Sequence, residues 1–492
     1  MTLNEVFFTI FAEVNADKTD LIMKRLLKTF VTVSFLLLLY VAAFGQQNLR
    51  TAYFLDGYTY NYKMNPAMAP ERSFFAMPAI GNIGAGVETN LKLSSMIYPT
   101  GDGEFTSFLD DETYMQNFIN TLNNVNRLNL SINESLLSFG FRYRESFHTV
   151  DLSLKTDLSA SLPKDIVDFA MTDLDDAAPS WKIPRTGLRA NARMELAYGY
   201  SFRINPDLRI GARLKMLMGL VHADLLVDNF EFNLSDDEWS VISSGNAQIS
   251  APITFGHSEE NDLMDFEDTY FYEGEELNEY FSKPSIGLAL DLGVTYDFLD
   301  YFTASLSVLD LGFISWNSTT TATMPQGRVS FEDFEQIDED AVDAEEQLSA
   351  LGDELLNMLK LKKTAEGIAK SNMLSATIHA GIEARMPFYE RLTFGLLGTQ
   401  RIDGIHSWTE GRLIMNLAPI NCFSIAGSYA ISDFGNSFGA VMNIHLPGFN
   451  LYAGLDSFLP LLTSKEHLPV GSLNTNLTLG LTFTFGKAKR HL

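Results

Sequence analysis

From Asn476 to Phe485 the chain alternates without a break. Leu477, Leu479, Leu481, Phe483 and Phe485 are large and apolar, whereas Asn476, Thr478, Gly480, Thr482 and Thr484 are polar or small. Successive side chains of a strand point to opposite faces, so such a stretch offers one face to hydrocarbon or a core and the other to water. The pattern recurs at Met194 to Phe202, Leu208 to Met218, Ile286 to Phe298 and Leu374 to Arg385. Strands of soluble sandwiches usually run about five or six residues. Runs of about ten or more match the length a tilted strand needs to cross an outer membrane. Aromatics gather at run ends (Tyr198, Tyr200, Phe202; Tyr296, Phe298; Phe483, Phe485) as interfacial girdles require. Glycine sits on the polar face, where a closed interior is crowded. The expected fold is all-β, a transmembrane antiparallel barrel.

Connection lengths give a strand count. Tight links at Glu145-Ser146, Asn205 to Asp207, Leu299-Asp300, Pro387 to Arg391, Pro419 to Asn421 and Pro447-Gly448 define hairpins. With a first strand near Ile83 to Leu93 and a closing strand at 474–486 they give fourteen strands, with both termini on the periplasmic side. The segment 224–251 would either raise the count to sixteen or extend strands above the membrane. Longer connections alternate with the short ones, and acidic inserts fall at 252–283 and 317–371. His257 to Tyr280 carries ten Asp or Glu and Phe331 to Glu354 eleven, with no Lys or Arg in either. A surface helix is expected over Asp343 to Ala369, from its helix-forming composition and rough apolar period.

Met23-Lys24-Arg25 followed by the apolar run Phe30 to Phe44 reads as a signal peptide over 23–45, and residues 1–22 as an extension preceding the true start at Met23. Residues 82–486 would form the barrel, and 487–492 a basic periplasmic tail. A formal net charge of −27 argues against nucleic-acid binding, and the lone Cys422 excludes a disulfide framework or a multi-thiolate metal site. The expected partners are outer-membrane lipid, the barrel-assembly machinery during insertion, and either a hydrophobic ligand or an envelope protein.

Inward positions hold Arg142, Arg144, Lys155, Arg193, Arg209, Arg213, Lys215, Arg385 and Arg412, with Asp151, Glu195, Asp291 and Glu383. Basic groups predominate inside although the chain is acidic. They read either as a polar path or anionic head-group site, or as a lumen filled with compensating ion pairs. No G-x-S-x-G elbow, calcium-loop spacing or phosphate-loop Lys-Ser/Thr is present, so no catalytic residue, metal or cofactor is expected.

The segment 46–81 is aromatic and non-periodic: Tyr53, Phe54, Tyr58, Tyr60 and Tyr62 precede Asn65-Pro66-Ala67, and Phe74-Phe75 follow. It reads as a plug that buries its aromatics against the lumen, or as a lead-in packed under the mouth. Together with Asp310-Leu311-Gly312 and Trp316, this N-terminus and the glycine-rich first strand resemble the FadL/PorV-like outer-membrane barrels, in particular their Bacteroidota-type branch. The resemblance covers nearly the whole mature chain. It implies fourteen strands with an N-terminal plug and one of two roles. FadL relatives take up hydrophobic molecules through a lateral opening, whereas PorV relatives are non-transporting partners of protein secretion. Asp310 breaks the outward parity of Phe302 to Val308, so a bulge is expected near Leu309.

Overall fold

Strands that alternate in this way can close on themselves, with the polar faces enclosed together. The computed structural model describes residues 49–486 apart from 79, 100–104, 109, 172–179, 235–237, 258–262, 325–328, 331–360 and 459–473. The signal segment, the extension before it, the basic tail and most of the second acidic insert lie outside the described residues.

Fourteen staves form a closed antiparallel barrel. The first stave is made of two strands in line, β1 (Ser73–Ala76) and β2 (Ile83–Thr89), which both pair with β3 (Val125–Tyr143). The circuit continues through β4 (Ser146–Pro163), β5 (Thr186–Arg203) and β6 (Leu208–Leu234). The sixth and seventh staves are β8 (Ser285–Phe298) and β9 (Phe302–Thr323), and between β6 and β8 the chain makes β7 (Glu238–Ser250). The eighth stave again has two strands in line, β10 (Lys362–Met373) and β11 (Ala376–Arg385). Then follow β12 (Leu392–Ile402), β13 (Trp408–Ile420), β14 (Phe423–Ser432), β15 (Gly435–Leu446), β16 (Phe449–Phe458) and β17 (Thr475–Phe485). β17 closes the ring on both parts of the first stave, with Ser73 opposite Phe485 and Ile83 opposite Leu479.

Burial is inverted relative to a soluble protein. On β17, Asn476, Thr478 and Thr482 are 0% exposed, while Leu477 and Leu479 are 41% and 49% exposed. The strict alternation therefore places polar groups inside and apolar ones outside.

β6 and β7 form a hairpin that rises beyond β8, and β7 takes the place of β8 between β6 and β9 there, pairing Asn246 with Leu226 on one side and Thr323 on the other. The segment 224–251 thus lengthens existing staves and adds none. The bulge expected near Leu309 is present: β9 uses three steps from Val308 to Leu311 where β8 uses two from Leu292 to Leu290, and Asp310 has φ 60°.

Three expectations need correction. Phe74 and Phe75 are wall residues, because Ser73–Ala76 pairs with both β3 and β17. Phe74 points in and is fully buried, and Phe75 points out. Between Ala76 and Ile83 the first stave spends seven steps where β3 spends four from Ser138 to Glu134, so the wall bulges at 77–82. The helix expected to run to Ala369 does not do so, since Lys362–Met373 is strand; pairing with β9 overrides local propensity. The corresponding insert also begins later than 317, because β9 continues to Thr323. Short helices do occupy long connections, at Glu112–Thr121, Lys164–Met171 and Gly274–Ser282.

Residues 49–69 lie inside the barrel, where Tyr53, Tyr60 and Tyr62 are at most 2% exposed. Tyr60 packs against Phe74 and Tyr452, and Phe74 stacks on Phe147. The Asn65-Pro66-Ala67 turn seats against β6, β8 and β9. Asn65 Nδ2 donates to Val294 O and Leu306 O at 3.3 and 3.4 Å, and Ser307 Oγ donates to Met64 O at 2.6 Å. Glycine makes this approach possible: a Cβ on Gly211 would lie 2.1 Å from Pro66 O, and one on Gly293 2.1 Å from Asn65 Oδ1. Gly211→Val should cost about 2 kcal/mol through overpacking. It should expose residues 49–69 to protease in the inserted barrel, while Gly427→Ala, whose added Cβ meets nothing within 4 Å, should leave both unchanged. Equal protease protection of the two variants would contradict this seating.

Candidate functional site

Most of the inward charges on β4, β5, β6 and β8 are joined in one continuous chain of ion pairs. It starts on the inner segment, where Lys63 lies 3.7 Å from Asp151 of β4. Asp151 also accepts from Tyr62 and Ser138 and pairs with Arg213 of β6 at 3.1 Å. Arg213 reaches Asp291 of β8 at 3.1 Å, and Asp291 reaches Lys215 at 2.7 Å. Lys215 and Lys155 share Asp310, which the β9 bulge turns inward, and Asp310 N donates to Asp291 Oδ1 at 2.8 Å. Lys155 then pairs with Glu195, Glu195 with Arg193, and Arg193 with Asp157, at 2.8, 2.9 and 3.0 Å. Arg401 bridges Asp157 and Asp403, and Arg189 bridges Asp403 and Asp224. A charge in a low-dielectric interior requires such partners, and removing one member strands the next.

A second knot fixes the start of the inner segment. Arg50 pairs with Glu88 of β2 and, at 3.3 Å, with Glu410 of β13. Arg412 pairs with Glu410 at 2.9 Å and with Asp456 of β16 at 3.2 Å. Asp456 in turn accepts from the Arg50 and Thr51 backbone N–H groups.

Above the inner segment, toward the long connections, the lumen opens into a cavity of about 530 Å³. Its wall mixes charged residues of the chain just described with Leu309, Ile314, Trp316, Leu374 and Trp408. His222 stacks on Trp316 with ring centroids 5.1 Å apart and an interplanar angle of 15°. The cavity reaches the wall between the seventh and eighth staves. Pairing there stops at Leu309 opposite Thr377 and resumes at Phe313 opposite Met373. Across residues 310–312 and 374–376 the paired register lapses, and a backbone bond from Leu374 N to Gly312 O at 2.9 Å bridges the gap. This seam borders the cavity through Leu309, Asp310, Leu374 and Ser375. On the outer face beside it, Leu311, Phe313 and Met373 are exposed, Met373 by 77%.

The structure distributes the inward residues read from sequence among several places. Arg213 and Asp291 sit at the centre of the ion-pair chain. Arg142 lies half-buried toward the tight turns, donating to Pro70 O at 3.0 Å and facing the Phe147 ring. Arg209 is buried and toward the same end. Glu383 and Arg385 are half-buried at that end of β11, away from the chain. Arg144 is not a lumen residue: with φ 54° it occupies the turn between β3 and β4 and is exposed, so strand parity stops before it. Tyr60, Asn65 and Pro66 belong to the inner segment, and Asp310, Leu311, Gly312 and Trp316 to the bulge, the seam and the cavity wall. Gly312 is required at the seam because a Cβ there would lie 2.1 Å from Leu288 O. Parity could have flagged Asp157, Arg189 and Asp403 as inward, but nothing in the sequence pairs them. Arg50, Glu88, Glu410 and Asp456 are brought together by ring closure alone.

Asp456→Asn should destabilise the barrel by about 3 kcal/mol, since it leaves Arg412 underpaired in a buried site. Urea unfolding of the inserted protein checks this, and a shift below about 1 kcal/mol would contradict the knot's role.

Residues 66–456 match the family described as "Family of unknown function (DUF5723)". No curated protein is matched by the sequence. Among solved structures, the chain is similar to the toluene transporter TbuX of Ralstonia pickettii, with 8% identity, a TM-score of 0.40, and 86% of this chain and 93% of that one covered. It is also similar to a Pseudomonas aeruginosa FadL homologue, with 11% identity, a TM-score of 0.41, and coverage of 91% and 98%. For the P. putida toluene transporter TodX the values are 8%, 0.37, 88% and 95%.

Proposed function

The chain belongs to the DUF5723 family, and we propose that it is a bacterial outer-membrane barrel that passively takes up a small hydrophobic or amphipathic molecule. Its outward apolar belt suits lipid, since a closed barrel leaves no strand edge unsatisfied in hydrocarbon. In this reading the signal at 23–45 exports the chain and the barrel-assembly machinery inserts it. The tight turns and both termini then face the periplasm, and the long acidic connections face outside.

The observation that carries the proposal is the meeting of the lumen cavity with the seam in the wall. The inner segment fills the lumen below the cavity, so the short way out is sideways, into the lipid. From Phe302 to Leu311 a tilted strand rises roughly 23 Å, close to the height of the apolar belt of such barrels. The seam therefore lies near the outer edge of the hydrocarbon. Opening it costs less than parting an unbroken ladder, since the paired register lapses there and each ladder hydrogen bond elsewhere is worth about 1 kcal/mol net. The inner segment acts as the plug that makes the passage lateral, and no catalytic group is needed for such transport. A non-transporting partner barrel for envelope proteins, the rival reading, would have no use for a cavity that reaches the wall.

Uptake of a hydrophobic fluorophore into vesicles containing the protein tests this. Ser375→Trp, which fills the seam, should slow uptake at least about tenfold, equivalent to about 1.4 kcal/mol, while the barrel remains resistant to unfolding on gels. Unchanged uptake would rule out the lateral route.

A further inference from the structure

The charges around the cavity permit a narrower statement, which rests on the transport reading above. From the pairing of these charges we infer that the molecule held in the cavity is uncharged and carries a hydroxyl or similar group that both donates and accepts a hydrogen bond.

Five cations line the cavity: Arg50, Lys155, Arg189, Arg193 and Arg401. Their number suggests an anion site, but each already contacts two carboxylates. Arg50 meets Glu88 and Glu410, and Lys155 meets Glu195 and Asp310. Arg193 meets Asp157 and Glu195, Arg189 meets Asp224 and Asp403, and Arg401 meets Asp157 and Asp403. The three lining carboxylates are matched in the same way. Asp157 touches Arg193 and Arg401, Asp403 touches Arg189 and Arg401, and Asp310 touches Lys155 and Lys215. An incoming carboxylate or ammonium would find its counter-charge engaged twice over and a like charge next to it. It would have to give up hydration and compete with those carboxylates for its partner, even at Arg401, whose contacts of 3.8 and 3.9 Å are among the longest of the set.

Uncharged polar groups are available instead. Trp316 Nε1 is a donor with no hydrogen-bond partner among the described residues, on a side chain that is 1% exposed. His222, 2% exposed and stacked on that indole, donates from Nδ1 to Asn191 Oδ1 at 2.7 Å, which leaves Nε2 as an unpartnered acceptor. Asn372 Oδ1 is a second acceptor without a partner. All three side chains line the cavity. A hydroxyl supplies both complements at once, and the apolar wall of Leu309, Ile314 and Leu374, leading to the seam, receives the hydrocarbon part.

Equilibrium binding of labelled decane, 1-decanol, decanoate and decylamine to vesicles with and without the full-length protein at neutral pH tests the inference. The expected result is that 1-decanol binds at least about tenfold more tightly than decanoate and protonated decylamine. Trp316→Phe, which keeps the ring and removes the donor, should weaken 1-decanol about tenfold and leave decane unchanged. Decanoate or decylamine binding as tightly as the alcohol would overturn the uncharged-ligand inference while leaving the transport reading intact. Alcohol binding untouched by Trp316→Phe would overturn the placement of the hydroxyl. If none of the four, decane included, bound above protein-free vesicles, the transport reading would fail first.

Discussion

The outer face of this closed barrel is apolar, so an inward charge must find its counter-charge within the ring. The rest of the interior depends on that constraint. Lys63 to Asp151, Arg213, Asp291, Lys215 and Asp310 form a path across five elements, from the inner segment through β4, β6, β8 and β9, and the same path continues to Arg189. Isolated buried ion pairs contribute little net stability, because desolvation offsets attraction. Their effect here is specificity: one register of β4, β6, β8 and β9 satisfies all the partners, and a slip by one residue would turn each charge onto the apolar outer face. The bulge at Leu309 and Asp310 has its cause in the same chain. Outward parity would carry Asp310 into hydrocarbon, and a residue inserted in β9 turns it toward Lys215 instead.

The inner segment obeys a complementary rule. It has little secondary structure of its own, so its backbone groups need partners from the wall: the Arg50 and Thr51 N–H groups donate to Asp456 and Met64 O accepts from Ser307, both in strands more than 200 positions away. Tyrosine suits this role, since each ring fills space against Phe74 or Tyr452 while its hydroxyl meets a polar inward face. Glycines at 211 and 293 let the turn at Asn65 come within contact of two strands.

Much of this was legible in the sequence. Period-two runs specified the barrel and the direction of the side chains within them, because pleating leaves only two faces, and connection lengths gave fourteen staves with sixteen left open. The parity break at Asp310 located a bulge. Phe74 and Phe75 were misread because four residues, Ser73–Ala76, are too few to show a period, and only pairing on both sides identifies them as wall. The strand at Lys362–Met373 was hidden for a different reason: its residues suit a helix, and its partner on β9 lies beyond a long insert. The cavity was not legible at all. Its walls come from eight staves, and the feature that opens it, a lapse of pairing at 310–312 and 374–376, shows only when the two strands are laid side by side. Which cations are neutralised is likewise a property of ring closure, so the excess of basic inward residues left the anion-site and ion-pair readings side by side.

The divided first stave carries a topological consequence. The inner segment ends at Ala69 and the wall begins at Ser73, so a tether of three residues joins what fills the lumen to the stave on which the ring is closed. β17, the last strand made, zips onto that same stave along both its halves. The contents and the closure are therefore parts of one continuous stretch of chain, and the far end of the contents is knotted to β13 and β16 through Arg50 and Asp456. Pro70 to Arg72 therefore couple the two, and a displacement of the contents reaches the closing stave through three residues.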